Sequence, residues 1–175
     1  AGQSVNHALV LDFSKYMNKL LELDPDAKFA WVEPGIVLDQ LNSYGIPHKL
    51  KFAPDPATTN RGNIGGAIGN NSCGSHSIVY GKTIDHVIEL ETVLSDGSVV
   101  RMKELDFDGF NAKCELATLE GAIYRGAYSI ALDHSEEIDK RYPKILRRVS
   151  GYNLDEMLKS PINLAKLIVG SEGTL

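Results

Sequence analysis

Cysteine is scarce: the 175 residues hold only Cys73 and Cys114. Two cysteines cannot build a disulfide framework, and without a CxxC pair there is no zinc or redox-dithiol motif. What remains is two reduced thiols, as in a cytosolic protein. No apolar stretch approaches the roughly 18 residues that a membrane span needs. Ala1-Gly2-Gln3-Ser4 offers no basic segment leading into an apolar one, so no signal peptide is expected. The chain also lacks an initial Met, which leads us to expect a piece of something longer. An excess of basic charge is missing too. With 18 Lys and Arg against 23 Asp and Glu, the net charge is -5, and the electrostatic footprint of a nucleic-acid binder is absent. Sixteen Gly and seven Pro are near average, which excludes collagen-like and low-complexity chains. No internal repeat is visible. What is present is ordinary globular composition, 43% hydrophobic and 23% charged. The length suits one domain with a real core.

Local patterns place the elements. His7 to Leu11 reads as a short strand. Lys19–Leu23 and Phe29–Glu33 alternate, with Asp24-Pro25-Asp26 as turn chemistry between them. Pro34-Gly35 ends this meander, and Val37, Leu38 and Leu41 mark one face of a short helix that stops at Gly45. His86–Leu94 and Val99–Met102 flank Ser95-Asp96-Gly97-Ser98, and Asp-Gly between apolar runs predicts a hairpin. Leu119, Ile123, Ala127, Ile130, Ala131, His134 and Ile138 recur at helical spacing, which predicts one helix from near Thr118 to near Lys140. Asn153 followed by Glu156 resembles a capping box opening a helix at Leu154. Asn163–Gly170 is a buried strand or helix, and Gly170–Thr174 a tight turn. Meander, hairpin and helices together indicate an α+β fold.

The stretch from Ala53 to Gly74, APDPATTNRGNIGGAIGNNSCG, differs in kind. It has little charge and five glycines: Gly62, Gly65, Gly66, Gly69 and Gly74. Gly65-Gly66 lets backbone approach a bulky group with no Cβ in the way. Successive N–H groups in such a loop can form an anion-binding concavity, and Asn70, Asn71 and Ser72 add side-chain donors. A phosphate-bearing ligand is one reading and a glycine-rich packing turn the other; the residues leave both open. Two nucleotide motifs are excluded. The dinucleotide fingerprint needs GxGxxG directly after a strand, and the spacing here is wrong. Gly81-Lys82-Thr83 has a P-loop ending, but His76 stands where the first glycine is required.

The run from Pro54 to Gly81, PDPATTNRGNIGGAIGNNSCGSHSIVYG, resembles the signature of the FAD-linked oxidase family, the PCMH-type or vanillyl-alcohol-oxidase-type flavoproteins. It is most similar to the branch that holds glycolate oxidase and the D-lactate and D-2-hydroxyglutarate dehydrogenases. Gly170–Leu175 (GSEGTL) resembles that family's second flavin-contacting turn. Arg147–Leu154 (RRVSGYNL) is similar to the segment before it in long bacterial members, and Asp85–Gly97 to the family hairpin. The likeness runs through nearly the whole chain. It implies that residues 1–175 are a single partial PCMH-type FAD-binding domain, with a mixed or antiparallel sheet and flanking helices. It implies FAD, held non-covalently, because the segment Ala1–Ser4 that resembles a loop tail carries no histidine. By the same resemblance, Pro54, Asp55, Gly62, Asn63, Ile64, Gly65 and Gly66 run beside the cofactor. Asn70, Asn71, Ser72, Cys73 and Gly74 give it backbone and side-chain contacts. Gly170, Ser171, Glu172 and Gly173 form the other wall, and Tyr80 and Gly81 lie near the flavin. The implied activity of the intact enzyme is oxidation of a small D-2-hydroxy acid by hydride transfer to FAD. Its electrons would pass to a further acceptor, an iron–sulfur region in long members. The expected setting is cytoplasmic, with any membrane association made through electron-transfer partners. No metal enters.

The resemblance also implies a first βαβ half before Ala1, with a pyrophosphate loop of which Ala1-Gly2-Gln3-Ser4 is the tail, and a substrate cap after Leu175. Weak FAD retention is therefore expected, and no catalytic residue is assigned. His76 reads as a loop residue that could sit near the flavin, and Cys73 as a small buried residue rather than a reactive thiol. Lys140, Arg141, Lys144, Arg147 and Arg148, with Asp133, Glu136, Glu137 and Asp139 nearby, read as solvated helix ends. Asn70-Asn71-Ser72 is formally a glycosylation sequon, irrelevant in the cytosol. Two rivals stand beside the hydroxy-acid reading. One is another oxidoreductase of the same fold, akin to UDP-N-acetylenolpyruvoylglucosamine reductase or an alcohol or aldonolactone oxidase. The other is a non-catalytic nucleotide-binding module. The pairing of RRVSGYNLDE with GSEGTL favours the hydroxy-acid branch.

Overall fold

The structure is a computed structural model that describes residues 10–174. The described residues form two compact units, 10–86 with 172–174, and 87–171.

The first unit begins with the antiparallel pair β1 (Leu20–Asp24) and β2 (Phe29–Val32). The Asp24 carboxylate closes their turn, accepting from the N–H groups of Asp26 and Ala27 at 2.9 and 2.8 Å. Gly35 donates to the Met17 carbonyl at 2.7 Å, and a Cβ at Gly35 would strike the Phe13 and Met17 carbonyls. Helix α1 (Leu38–Gly45) follows, then a 3₁₀ turn, Ile46–His48. Three short helices complete the unit: α2 (Ile64–Gly69), α3 (Ser77–Tyr80) and α4 (Thr83–His86).

Helix α2 lies inside the segment that sequence marks as a glycine-rich loop. Each helical glycine costs about 1 kcal/mol relative to alanine, so propensity opposes it. Two things override propensity. The Asn63 side chain caps the helix by accepting from Gly66 N–H at 2.8 Å. Ile64 and Ala67 are buried with Ile36 and Leu38, and Leu20, Val32, Leu41, Phe52 and Ile68 pack around them. The backbone is cross-laced as well: Ile64 N–H donates to Ile36 O and Leu38 N–H to Gly62 O, both at 2.9 Å. The strand expected at His7–Leu11 lies mostly outside the described residues, and its last two, Val10 and Leu11, are not in a strand.

The second unit holds a three-stranded antiparallel sheet in the order β3 (Glu89–Val93), β4 (Val99–Leu105), β5 (Ile162–Asn163). The Asp96 carboxylate accepts from Ser98 N–H at 2.9 Å, and Gly97 takes φ 82°, which makes the expected hairpin turn. Helices α5 (Phe107–Glu115) and α6 (Leu119–Asp133) are capped by the side chains of Asp106 and Thr118. The single helix expected up to Lys140 is two. It breaks at His134 (φ -112°, ψ 17°), and α7 (Ser135–Arg141) starts anew with Glu136 and Glu137 in its first turn, where acidic groups meet a positive helix end. Leu154–Leu158 is a 3₁₀ helix, and Asn153 does not cap it. The stretch Asn163–Gly170 divides into the end of β5 and helix α8 (Ala165–Ile168). The strand pairs of both units are antiparallel, so the fold class is α+β. No helix among the described residues is long and apolar enough to cross a membrane.

Tyr124 on α6 is fully buried, edge-on to Phe110, and its hydroxyl has no hydrogen-bond partner among the described residues. Burial, then the charges of Glu120 and Cys114, push it up to about 12. An unpaired buried hydroxyl costs stability. Tyr124→Phe should therefore hold or raise the melting temperature at pH 7. Its advantage should widen as the pH climbs from 10 towards 12, where the unfolded tyrosine ionises and the folded one does not. A drop of more than about 3 °C at pH 7 in thermal unfolding would show the hydroxyl to be used.

Candidate functional site

In the first unit the glycines do two different jobs. Some let chain cross chain. A Cβ at Gly65 would sit 3.0 Å from both Pro34 Cβ and Pro34 O, and one at Gly74 would land on the Asp55 carbonyl oxygen. Others face open space: no atom of the described residues lies within 4 Å of where a Cβ would stand at Gly69 or Gly173. These two are brought into one region by a backbone bond, Glu172 N–H to Gly69 O at 2.8 Å. The Glu172–Gly173 turn thus reaches the end of α2, leaving bare backbone exposed there. The open row of anion-binding N–H groups expected of a loop is not formed. The N–H groups of Ile64, Gly65, Gly66 and Ala67 go to Ile36, Pro34 and Asn63, and those of Asn70, Asn71 and Ser72 go back to α2.

Strained backbone occurs in the same segments, as it does at Lys28 and Lys49 elsewhere in the unit. Non-glycine residues with positive φ include Asp55 (49°), Asn71 (47°) and Glu172 (51°), and Gly81 and Gly173 are left-handed as well. Such conformations cost a non-glycine residue of order 1–3 kcal/mol, whereas glycine adopts them freely. Asn71 is fully buried; its Oδ1 accepts from Ile84 N–H at 3.0 Å, while its Nδ2 has no partner among the described residues. Ser72 turns its carbonyl to Thr83, accepting from the N–H and the hydroxyl at 3.1 and 2.8 Å. Cys73 is a half-buried free thiol.

Pro54 and Asp55 are clasped to the chain twenty residues on. Ser77 Oγ donates to Pro54 O at 3.1 Å and accepts from Gly74 N–H at 3.0 Å. The Asp55 carboxylate holds Lys51 at 2.8 Å and His76 Nδ1 at 2.6 Å. The Lys51 hydrogen bond, with His76 adding to it against some burial, holds the Asp55 carboxyl below its ordinary value. His76 is therefore tied, not a free loop residue. Behind it, Ile78, Val79 and Tyr80 of α3 are largely exposed.

Gly170 and Ser171 belong to the second unit. Gly170 takes φ 93°, and a Cβ there would stand 3.1 Å from Gly151 O and 3.3 Å from Val149 O. Asn153 Nδ2 donates to Val169 O at 2.6 Å. Arg148 donates to both Asp155 oxygens at 2.7 and 2.8 Å and lies 4.5 Å over the Tyr142 ring. So RRVSGYNL and the start of GSEGTL, distant in sequence, meet. Two corrections follow. Asn153 serves as a long-range clamp, not a helix cap. Arg148 is mostly buried, whereas Arg141 and Lys144 pair at the surface with Glu137 and Asp139. Neither role has a local sequence signal.

Residues 1–103 match the family described as FAD binding domain. The chain belongs to that family. It is 36% identical over 177 residues to the D-2-hydroxyglutarate dehydrogenase of Pantoea ananatis (strain AJ13355), which covers 99% of the chain and 17% of that protein. It is 35% identical to the Escherichia coli (strain K12) protein of the same name, again over 99% of the chain and 17% of the relative. A glycolate oxidase subunit GlcD from Bacillus subtilis (strain 168) is 42% identical over 95 residues, 53% of the chain and 20% of that protein. The chain thus spans about a sixth of the length of the dehydrogenases it matches. FAD is the cofactor of this family, and the residues present fit it. Gly69 and Gly173 leave bare backbone with open space beside it, the flanking backbone is left-handed, and the buried Asn71 Nδ2 has no partner among the described residues. No cluster of metal ligands occurs among the described residues.

Two variants test this geometry. Gly74→Ala forces a methyl onto the Asp55 carbonyl and should destabilise by at least about 2 kcal/mol in denaturant unfolding. Asp55→Asn keeps the shape and the left-handed backbone but loses the ion pairs. Because the folded carboxyl lies below 3.8, its stabilisation is present above that pH and lost as pH falls through the lower folded value. The wild-type advantage over Asp55→Asn should accordingly shrink from pH 6 to pH 3 in melts, and a constant gap would contradict the pairing.

Proposed function

We propose that this chain is the FAD-binding part of a flavin-dependent dehydrogenase that oxidises a D-2-hydroxy acid. The observation that carries the substrate class is the extent of the likeness. The D-2-hydroxyglutarate dehydrogenases align with 99% of the chain, through the Arg148–Asp155 brace and the Gly170 turn, which lie beyond the family match at residues 1–103. Residues 1–175 are read as one partial FAD-binding domain.

In this reading the bare backbone at Gly69 and Gly173 lets the flat cofactor lie close, and Asn71 Nδ2 supplies a donor. The clasped pair Asp55–His76 fixes the segment that borders it. FAD, when bound, takes up the hydride released from the substrate's α-carbon. The residues here bind and orient the cofactor; no described residue is assigned as the base or the substrate-carboxylate clamp. The small substrate and the electron acceptor, an iron–sulfur region or another carrier, are partners of the whole protein. Two free thiols fit a cytoplasmic setting.

The test has two stages. FAD is titrated at equilibrium and followed by flavin fluorescence, which detects weak binding that desalting would lose. Saturable quenching is expected; no quenching at any protein concentration would promote the non-catalytic module. A protein of the relatives' length is then mixed anaerobically with D- and L-2-hydroxy acids. Bleaching of the flavin by the D-isomers alone is expected. Bleaching only by a nicotinamide reductant would move the protein to the reductase-like branch.

A further inference from the structure

Between α7 and the 3₁₀ helix that starts at Leu154, charge in the second unit is segregated. Residues 140–154 carry five cations and no acidic residue, in a chain whose net charge is -5. Arg148 is shielded, held by Asp155 and the Tyr142 ring, while Lys140, Arg141, Lys144 and Arg147 are exposed. Those four flank two adjacent aliphatic side chains left in water: Ile145 is 64% exposed and Leu146 57%. The segment is fastened at its base. Tyr142 N–H donates to Ile138 O at 3.0 Å, and the Tyr142 hydroxyl donates to Tyr152 O at 3.0 Å. The Arg148 guanidinium lies 4.5 Å over the Tyr142 ring, and Arg148 N–H closes a turn onto Ile145 O at 3.4 Å. Pro143 fixes one more φ. The apolar pair thus sits at the tip of a stapled loop, and presenting it to a partner costs little further ordering.

A single exposed aliphatic residue is ordinary on a protein surface. An adjacent pair flanked by cations has the chemistry of an interfacial anchor, in which the cations meet phosphate groups and the apolar chains enter the acyl boundary. Protein–protein hot spots favour Trp, Tyr and Arg seated in pockets. Aliphatic chains on a loop tip suit a soft anionic layer better. Arg141 and Lys144 pair with Glu137 and Asp139, but these pairs are exposed, and exposed pairs are worth so little that a lipid phosphate can compete for the cation. Glu136 and Glu137 lie in the first turn of α7, whereas the loop leaves from its last. No helix among the described residues can cross a membrane, so the contact is with its surface. We propose that the loop at residues 140–147 docks on an anionic lipid layer, with Ile145 and Leu146 entering it and the four exposed cations meeting its phosphates. The proposal stands independently of the flavin reading.

The test is co-sedimentation of the chain with vesicles of phosphatidylcholine, with and without phosphatidylglycerol, at low and at raised salt. Binding is expected only where phosphatidylglycerol is present, and it should weaken as salt screens the charges. Two double variants separate the contributions. Ile145→Ser with Leu146→Ser keeps the charge and removes the apolar tip, and should weaken binding about tenfold or more. Lys140→Glu with Lys144→Glu keeps the tip; each basic residue contributes about fivefold, so the loss should exceed about 25-fold. Lys103→Glu, at an exposed cation on β4, is the control and should stay within about twofold of wild type. Amide exchange at residues 142–148 should slow on the vesicles. Far-ultraviolet circular dichroism checks folding, and if the lysine variant does not fold, the serine variant carries the test. Absence of binding to the anionic vesicles at low salt would overturn the proposal. So would wild-type binding by the serine variant. Soluble polyglutamate that binds as tightly as the vesicles, and equally to the serine variant, would overturn it in favour of an acidic protein partner.

Discussion

Everything in the first unit depends on a backbone exchange between two short extended pieces. Ile36 and Leu38 trade hydrogen bonds with Ile64 and Gly62, and Gly65 N–H goes to Pro34 O. Neither piece has enough residues to make a sheet. The exchange holds because Ile36, Leu38, Ile64 and Ala67 are sealed beneath it, where each buried aliphatic side chain is worth roughly 1.5–3 kcal/mol. Once α2 is fixed this way, the rest of the glycine segment has little freedom. Asn71 turns under to Ile84, Ser72 is tied to Thr83, and Gly74 is pressed against Asp55. The strained left-handed residues are products of that over-determination.

The second unit solves a similar problem with side chains. Its turn at Gly170 is not laced by strands; Ser171 N–H bonds back to Ile168 O, and the Val169 carbonyl is held by the Asn153 amide, which Arg148 braces. Polar side chains can do this where they are largely shielded from water, as Asn153 and Arg148 are. Low water access strengthens such bonds and raises the cost of losing any one of them.

How much of this is legible in sequence follows from how local each cause is. The two hairpins and α1 are readable, since alternation and Asp-rich turns act over a few residues. Helix α2 is not, because three glycines argue against a helix and the decisive contacts come from Ile36 and Leu38 far upstream. The break at His134 is masked by apolar spacing that continues across it. Asn153 misleads for the opposite reason: its spacing to Glu156 imitates a cap, while its real acceptor lies sixteen residues on. At the site, the need for closeness is evident from the glycines. Which glycines face inward and which face open space is not, and nothing local announces that Asp55 and His76 are partners.

The first unit is discontinuous along the chain: residues 10–86 are joined by 172–174, with the second unit in between. The bond from Glu172 to Gly69 therefore closes a span of about a hundred residues. Closing so long a loop in a flexible chain costs entropy that grows only slowly with length, and prior folding of the intervening unit shortens the effective loop. On the ribosome, then, order of synthesis dictates order of completion. Residues 10–86 emerge first yet lack their last backbone partner, and the second unit is made whole before the first receives it.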